Sequence, residues 1–217
     1  MRKTLSVIAV ATTIILSSQA NAKDGFYVGA DVLFANSNHK YYDKTTGAGS
    51  YDGMKTHDNS FGFALDAGYK FGFDKFFVAP ELFFDQLNNS SPGFNYKQRP
   101  VNKQYSVDLN YRYGAKLNLG YNITPKFNAF VNWGFANVDY DTRTFYTGGR
   151  KPASTELAPI YGFGFGYQIT DNVSARISYD RQSMHLRNIS VPVSTGGDAA
   201  KYISTLDVIK LGAVYSF

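Results

Sequence analysis

The chain has 217 residues and no cysteine, and its 22 lysines and arginines exceed its 17 aspartates and glutamates to give a formal net charge of +5. The absence of cysteine excludes disulfide bonds and a thiol nucleophile. After the N-terminus, no apolar run approaches the twenty or so residues that a transmembrane helix needs.

The first 22 residues have the pattern of a secretory signal peptide. Arg2 and Lys3 supply positive charge, Leu5 to Leu16 form a short apolar segment, and positions 20–22 read A-N-A. That order of features is typical of a cleaved leader, and the apolar segment is too short for a membrane anchor. We expect cleavage after Ala22, so that residues 23–217 form the mature domain.

Eight segments alternate between apolar and polar residues with a period of two, which predicts β-strands. In chain order they are Gly25–Ala35, Ser60–Phe71, Phe76–Gln86, Gln104–Tyr121, Phe127–Ala136, Leu157–Ile169, Val173–Asp180 and Asp207–Phe217. Long polar stretches without periodicity, at 36–59, 87–103, 137–156 and 181–204, alternate with three short turns.

This rhythm of an even strand number, short turns and long loops is typical of outer-membrane barrels. The sequence therefore predicts an all-β fold, an eight-stranded antiparallel transmembrane β-barrel with four long extracellular loops and three short periplasmic turns. A soluble barrel of lipocalin type is the alternative, and it would turn its apolar faces inward. The leader, the terminal Phe217 and the charged opposite faces argue against it.

The clearest alternation lies in the segment 104–121. Its apolar face includes Val107, Leu109, Tyr111 and Tyr113, and its polar face includes Asp108. In a membrane barrel we expect the apolar face to contact lipid and the polar face to line the lumen.

Charged residues on the polar faces predict the contents of the lumen. By register, the candidates near mid-depth are Asp31, Asp66, Glu81, Arg112, Arg176 and Lys210. Because an unpaired buried charge costs several kcal/mol, we expect pairs such as Asp31 with Lys210 and Glu81 with Arg112. Eight strands leave an interior just wide enough for side chains to fill. We therefore favour a polar plug over a proton or ion path, and we expect no stable conductance.

The predicted loops hold twelve basic and seven acidic residues, and the second loop holds bases alone. Exposed aromatic residues beside arginine and lysine are typical of protein-binding surfaces, and the positive charge also suits sulfated glycans or lipopolysaccharide. The alternative is that the aromatic residues form a girdle at the membrane edge. The candidate ligand contacts are Tyr41, Tyr42, Tyr96, Lys97, Arg99, Lys103, Arg143, Tyr146, Arg150, Lys151 and Arg187.

Catalytic and cofactor sites are not predicted. The histidines, His39, His57 and His185, all fall in predicted loops. Asp58 follows His57 and Ser183 lies near His185, but no motif links these residues, and there is no metal-ligand spacing or phosphate-binding loop. We expect no cofactor and no nucleic-acid partner.

Four motifs carry a resemblance to a known family. They are G-F-Y-V-G-A-D at 25–31, F-V-A-P-E-L-F-F at 77–84, G-F-G-F-G-Y at 162–167 and L-G-A-V-Y-S-F at 211–217. The mature chain resembles the opacity-protein and OmpX-like small outer-membrane barrels, and within them the rickettsial-type adhesins. The resemblance implies attachment to host cells or binding of serum or matrix proteins such as vitronectin. We expect the protein to be a monomer in the bacterial outer membrane. A structural membrane-integrity protein and an enzyme acting on outer-membrane lipid are the second and third alternatives.

Overall fold

The computed structural model describes residues 24–42, 54–90, 94–95, 104–144, 149–186 and 201–217. The strands in these ranges are β1 (Gly25–Tyr42), β2 (Met54–Phe73), β3 (Phe76–Ser90), β4 (Phe94–Asn95), β5 (Gln104–Asn122), β6 (Phe127–Thr144), β7 (Gly149–Gln168), β8 (Val173–Leu186) and β9 (Lys201–Ser216). Among the same residues, no helix is both long and apolar enough to cross a membrane. The predicted leader and its cleavage site lie outside the described residues and stay a prediction.

The eight long strands close into one antiparallel barrel. Their order is β3-β2-β1-β9-β8-β7-β6-β5, and β5 pairs in turn with β3 to complete the ring. The two-residue β4 pairs with the start of β5. The last residue of the chain is hydrogen-bonded to the first strand, since the amide of Phe217 donates to the carbonyl of Phe26 over 3.0 Å. The predicted eight-stranded barrel is confirmed.

An apolar band surrounds the lower and middle part of the barrel wall. Its residues point outward and are exposed on every long strand, for example Val32, Leu65, Leu82, Leu119, Trp133, Phe163, Ile177 and Leu211. A soluble barrel buries such residues inside, whereas a membrane barrel presents them to lipid. The orientation of the faces therefore contradicts the lipocalin alternative.

The strands run further toward the extracellular side than the sequence predicts. Pairing of β1 with β2 continues to Tyr41 opposite Met54, and pairing of β6 with β7 continues to Thr144 opposite Gly149. The predicted loops at 36–59, 137–156 and 181–204 therefore begin and end in strand, and the one at 87–103 begins in strand. Above the lipid the outer face is largely polar, and in β6 the apolar residues Val138 and Tyr140 lie on the inner face instead. These extensions therefore lack the apolar outer face by which the lower parts of the strands were recognised.

The face predicted for the start of β5 is wrong. Val107 and Leu109 are buried inside the barrel, at 2% and 0% exposure, and Asp108 is consequently on the outer side. The register between β5 and β6 shifts between Leu109 and Tyr111. An extra residue in one strand is a β-bulge, which reverses the facing of everything beyond it. Tyr113, below the bulge, faces outward as predicted.

Above the lipid the barrel divides into two facing sheets. In the described strands, pairing of β2 with β3 ends at Phe63 opposite Gln86, and pairing of β7 with β8 ends at Ile160 opposite Gln182. The sheet β2-β1-β9-β8 thus faces the sheet β3-β5-β6-β7, as in a β-sandwich. The apolar core between them comprises Leu33, Ala35, Ala64, Leu87, Val107, Leu109, Val138, Tyr140, Ala158, Met184, Leu206 and Val208.

Candidate functional sites in the lumen and at the extracellular end

Nine charged side chains form a network inside the barrel, below the apolar core. The structure places all six predicted lumen residues in it, and each is at most 9% exposed: Asp31, Asp66, Glu81, Arg112, Arg176 and Lys210. Asp85, Lys116 and Asp180 complete the network. These three lie on inner faces that the alternation already indicated, but the tilt and stagger of the strands bring them to the same height as the other six.

Arg176 is the first centre of the network. Its Nη2 lies 2.6 Å from Asp31 Oδ2, and its Nη1 lies 3.1 Å from Asp66 Oδ1 and 3.2 Å from Glu81 Oε2. One guanidinium thus joins carboxylates from three consecutive strands, β1, β2 and β3. Tyr27 strengthens this centre, because its hydroxyl donates to Glu81 over 2.9 Å.

A glycine gives Arg176 access to Asp31. On the strand between them, Gly212 lies directly opposite Asp31 on one side and opposite Arg176 on the other. A Cβ on Gly212 would stand 2.1 Å from the carbonyl oxygen of Ala30 and 2.4 Å from the Asp31 carboxylate. The absence of a side chain on β9 at this level therefore allows the two charged groups to meet across it.

Asp85 and Asp180 form the second centre. Asp85 accepts from Arg112 Nε and from Lys210 Nζ, the latter over 2.6 Å. Asp180 has Arg112 Nη2 and Lys116 Nζ at 3.4 Å, and the amide of Asn132 donates to it over 2.9 Å. Every carboxylate in the network has a cation in contact, which is the condition for burying charge at tolerable cost.

The two predicted ion pairs are wrong in register. Asp31 lies opposite Gly212, so that Lys210 is two residues higher and reaches Asp85 instead. Glu81 lies opposite Lys116, whereas Arg112 lies opposite Asp85. Alternation predicts which face a residue occupies, but it carries no information about the register between neighbouring strands.

Phe83 separates the charges from the apolar core above them. Its ring packs with Ala136 and Ile160 on the upper side. The ammonium groups of Lys210 and Lys116 lie 4.9 and 5.4 Å from the ring centroid, and the Arg112 guanidinium carbon lies 5.5 Å away. Cations at such distances are attracted to an aromatic face. The described lumen is therefore filled in layers, first ionic, then aromatic, then aliphatic.

The periplasmic end of the lumen holds a cavity of about 90 Å³. Its lining includes Tyr27, Lys70, Phe77 and Phe130, and it ends upward at Glu81 and Arg176. A volume of this size holds about three water molecules. The cavity therefore ends below the network, and solute passage would require several ion pairs to separate.

Five of the predicted ligand-contact residues lie on strands at the extracellular end. Tyr41, Tyr42, Arg143, Arg150 and Lys151 lie on the extracellular ends of β1, β6 and β7, where Arg143 is directly opposite Arg150. The remaining candidates lie outside the described residues, namely Tyr96, Lys97, Arg99, Lys103, Tyr146 and Arg187.

The histidines do not converge on one site. His39 is fully buried on the inner face above the lipid band, where burial lowers its pKa to about 4. His57 and His185 are exposed on the outer face of β2 and β8, which are separated by two strands. Asp58 pairs with Ser37 and lies on the opposite face from His57. The imidazoles thus lie on different faces and strands, with no common centre.

The family model described as "Outer membrane protein beta-barrel domain" matches residues 6–217, and the chain belongs to that family. It is an outer-membrane β-barrel protein of the bacterial outer membrane.

Three similar proteins illustrate the likeness. Outer membrane protein A of Salmonella typhi is 30% identical over 185 residues, which cover 82% of this chain and 47% of the relative. The chain thus spans about half the length of that protein. The crystal structure of OprG from Pseudomonas aeruginosa shares the fold at 16% identity with a TM-score of 0.54, covering 90% of this chain and 97% of OprG. Neisserial surface protein A gives a TM-score of 0.47 at 14% identity, covering 89% of this chain and 97% of that one.

Proposed function

We propose that the protein is an adhesin, which uses its extracellular end to bind host cell-surface or serum proteins. The observation that carries the proposal is the filled lumen. Ion pairs, an aromatic layer and an apolar core occupy the described interior in succession. A barrel filled in this way is poorly suited to carrying solute, so the surface it displays outside the cell becomes its working part.

The charge of the extracellular end supports an anionic partner. Arg143 is the backbone pairing partner of Arg150 between β6 and β7. The stretch between β3 and β5 adds Lys97, Arg99 and Lys103 without an acidic residue among its other members. Clustered bases with tyrosines at their side favour acidic protein segments, of the kind a vitronectin-like partner presents, or sulfated glycans.

The test is adherence of a non-adherent bacterium that displays the barrel. We expect Lys97→Gln combined with Lys103→Gln to reduce binding to cultured epithelium several-fold, and higher salt to weaken the parent protein's binding. The matched control is Lys75→Gln with Lys126→Gln, because it removes the same charge at the periplasmic turns. Equal adherence of parent, test variant and control would contradict an electrostatic adhesin.

A structural role in membrane integrity is the second candidate. The network ties β1, β2, β3, β5, β8 and β9 together through buried ion pairs, which suits a rigid monomeric scaffold. If this role is the correct one, removal of the gene makes cells sensitive to detergent, and expression of the Lys97→Gln/Lys103→Gln variant restores resistance fully. The separated histidines do not support the hypothesis that the protein is a lipid-modifying enzyme. That hypothesis predicts an activity that is lost on His39→Ala, His57→Ala or His185→Ala.

A further inference from the structure

The outer wall of β1 and β2 changes character in steps above the lipid band. Four successive pairs of directly opposed residues point outward: Phe34–Phe61, Asn36–Asn59, Asn38–His57 and Lys40–Lys55. The aromatic pair has its ring centroids 5.2 Å apart, and Phe61 is 78% exposed. This pair is the uppermost of the four that is apolar enough to contact the hydrocarbon of the membrane. Amides follow, and two lysines stand at the top.

The lysine pair is an unusual arrangement for a sheet. Lys40 and Lys55 are cross-strand partners, and both side chains are exposed on the same face. Directly opposed residues have Cβ atoms about 5 Å apart, and like charges in that position destabilise the pairing. An anion bound between the two ammonium groups would turn this repulsion into attraction.

The described part of the same wall offers one carboxylate, and it is already engaged. Asp207 on β9 accepts from the Tyr179 hydroxyl over 2.6 Å and lies 3.6 Å from Arg181 Nε. It stands opposite Asn36, two rungs below the lysines. At the lysine rung itself, β9 presents Ile203 opposite Lys40. The wall thus concentrates positive charge beside the space that outer-leaflet lipids occupy.

The height of the pair decides which lipid can reach it. Each rung adds two residues, or about 5 Å of height on a tilted strand, so the lysines stand roughly 15 Å above the last aromatic rung. The headgroup layer of a phospholipid leaflet is only about 5 to 8 Å thick. We propose that Lys40 and Lys55 bind a phosphate carried on the saccharide headgroup of an outer-leaflet glycolipid, namely lipopolysaccharide.

The amides below the lysines fit the sugar part of that ligand. Asn38 Nδ2 donates to Asn36 Oδ1 over 2.7 Å, and Asn36 Nδ2 donates to Asn59 Oδ1 over 2.5 Å. This chain leaves the Asn59 amide nitrogen and the Asn38 oxygen at its two ends for sugar hydroxyls. The surface is on the side wall of the barrel, so the inference does not depend on the adhesin proposal.

The test compares refolded parent protein and the variant Lys40→Gln/Lys55→Gln in neutral detergent. Both are titrated with lipopolysaccharide, with the same lipopolysaccharide after chemical removal of its phosphates, with phosphatidylglycerol and with inorganic phosphate. A lysine near an anionic surface contributes about fivefold in affinity, so we expect the double variant to bind phosphorylated lipopolysaccharide roughly thirtyfold more weakly. The control Lys75→Gln/Lys126→Gln should bind as the parent does.

A second readout separates binding from failure to fold. Without lipopolysaccharide the Lys40/Lys55 double variant should melt at the same temperature as the parent or higher, because the like-charge contact is gone. With lipopolysaccharide the parent should gain stability and the variant should gain little. Equal affinity of variant and parent, or of phosphorylated and dephosphorylated lipopolysaccharide, would overturn the proposal. Equal binding of phosphatidylglycerol, or saturation by inorganic phosphate, would overturn the assignment to a glycolipid.

Discussion

Arg176 is the residue on which the lower half of the charged network depends. It contacts Asp31, Asp66 and Glu81. Among the described ion pairs, Glu81 has Lys116 as a second cation, whereas Asp31 and Asp66 have Arg176 alone. Removing the guanidinium would therefore leave two buried aspartates without a cation. A charge left alone in this way costs far more than the intact pair contributes.

We predict that Arg176→Met destabilises the folded barrel by about 3–5 kcal/mol, measured by urea unfolding in lipid vesicles. Lys116→Met is the matched control, because Glu81 keeps Arg176 and Asp180 keeps Arg112 and Lys210 as partners. It should lose clearly less stability. Equal losses in the two variants would show that Arg176 is not the centre of the network.

At the residue scale, sequence analysis could predict which side chains are inside but not which of them touch. The period of two assigns Asp31 and Lys210 to inner faces, and both are buried. Their contact partners, Arg176 and Asp85, come from strands that are distant in sequence and are selected by stagger and by the gap at Gly212. Neither the stagger of the strands nor the space beside Gly212 can be recognised from a single segment of sequence.

At the element scale, the outer face of strand β9 is apolar where it contacts lipid. Leu211 is 57% exposed, and it lies opposite Val32 on β1 and Ile177 on β8, both outward-facing and exposed. We predict that Leu211→Arg destabilises the barrel by about 2–4 kcal/mol in lipid vesicles, because a charge at mid-membrane must leave water.

Thr205→Arg is the control for that substitution. Thr205 lies on the same face of the same strand, but it stands opposite Asn38, above the aromatic rung. Arginine there remains in the polar layer and should change stability little. If Leu211→Arg were as mild as Thr205→Arg, the lipid-facing side of β9 would have been assigned to the wrong face.

The two errors at the element scale have different physical origins. Where lipid no longer contacts the wall, the outer face has no reason to be apolar, so the extensions of β1 and β6 lack the apolar outer face by which the other segments were recognised. The bulge beyond Leu109 adds one residue and exchanges the faces of Val107 and Asp108. A bulge is set by the neighbouring strands, and a single chain segment does not reveal it.

At the scale of the whole molecule, the barrel is a membrane-spanning wall around a packed interior. The lower half has a small periplasmic cavity, the middle holds nine charged side chains, and the upper half is an apolar core between two sheets. The strand number and the even rhythm of turns were accessible from the sequence, since membrane thickness and closure constrain both. The apolar upper core was not, because it combines Leu87, Val138, Tyr140 and Met184 from predicted loops with residues of predicted strands whose inner faces were expected to be polar.

The most direct test of this account is conductance of the refolded protein in a planar bilayer, after its folded state has been verified. A filled lumen predicts a quiet membrane with no stable, reproducible current steps, because ions would have to pass buried pairs such as Lys210 with Asp85. Steady channels of uniform size would contradict the filled lumen. They would also remove the main support for placing the function at the extracellular end.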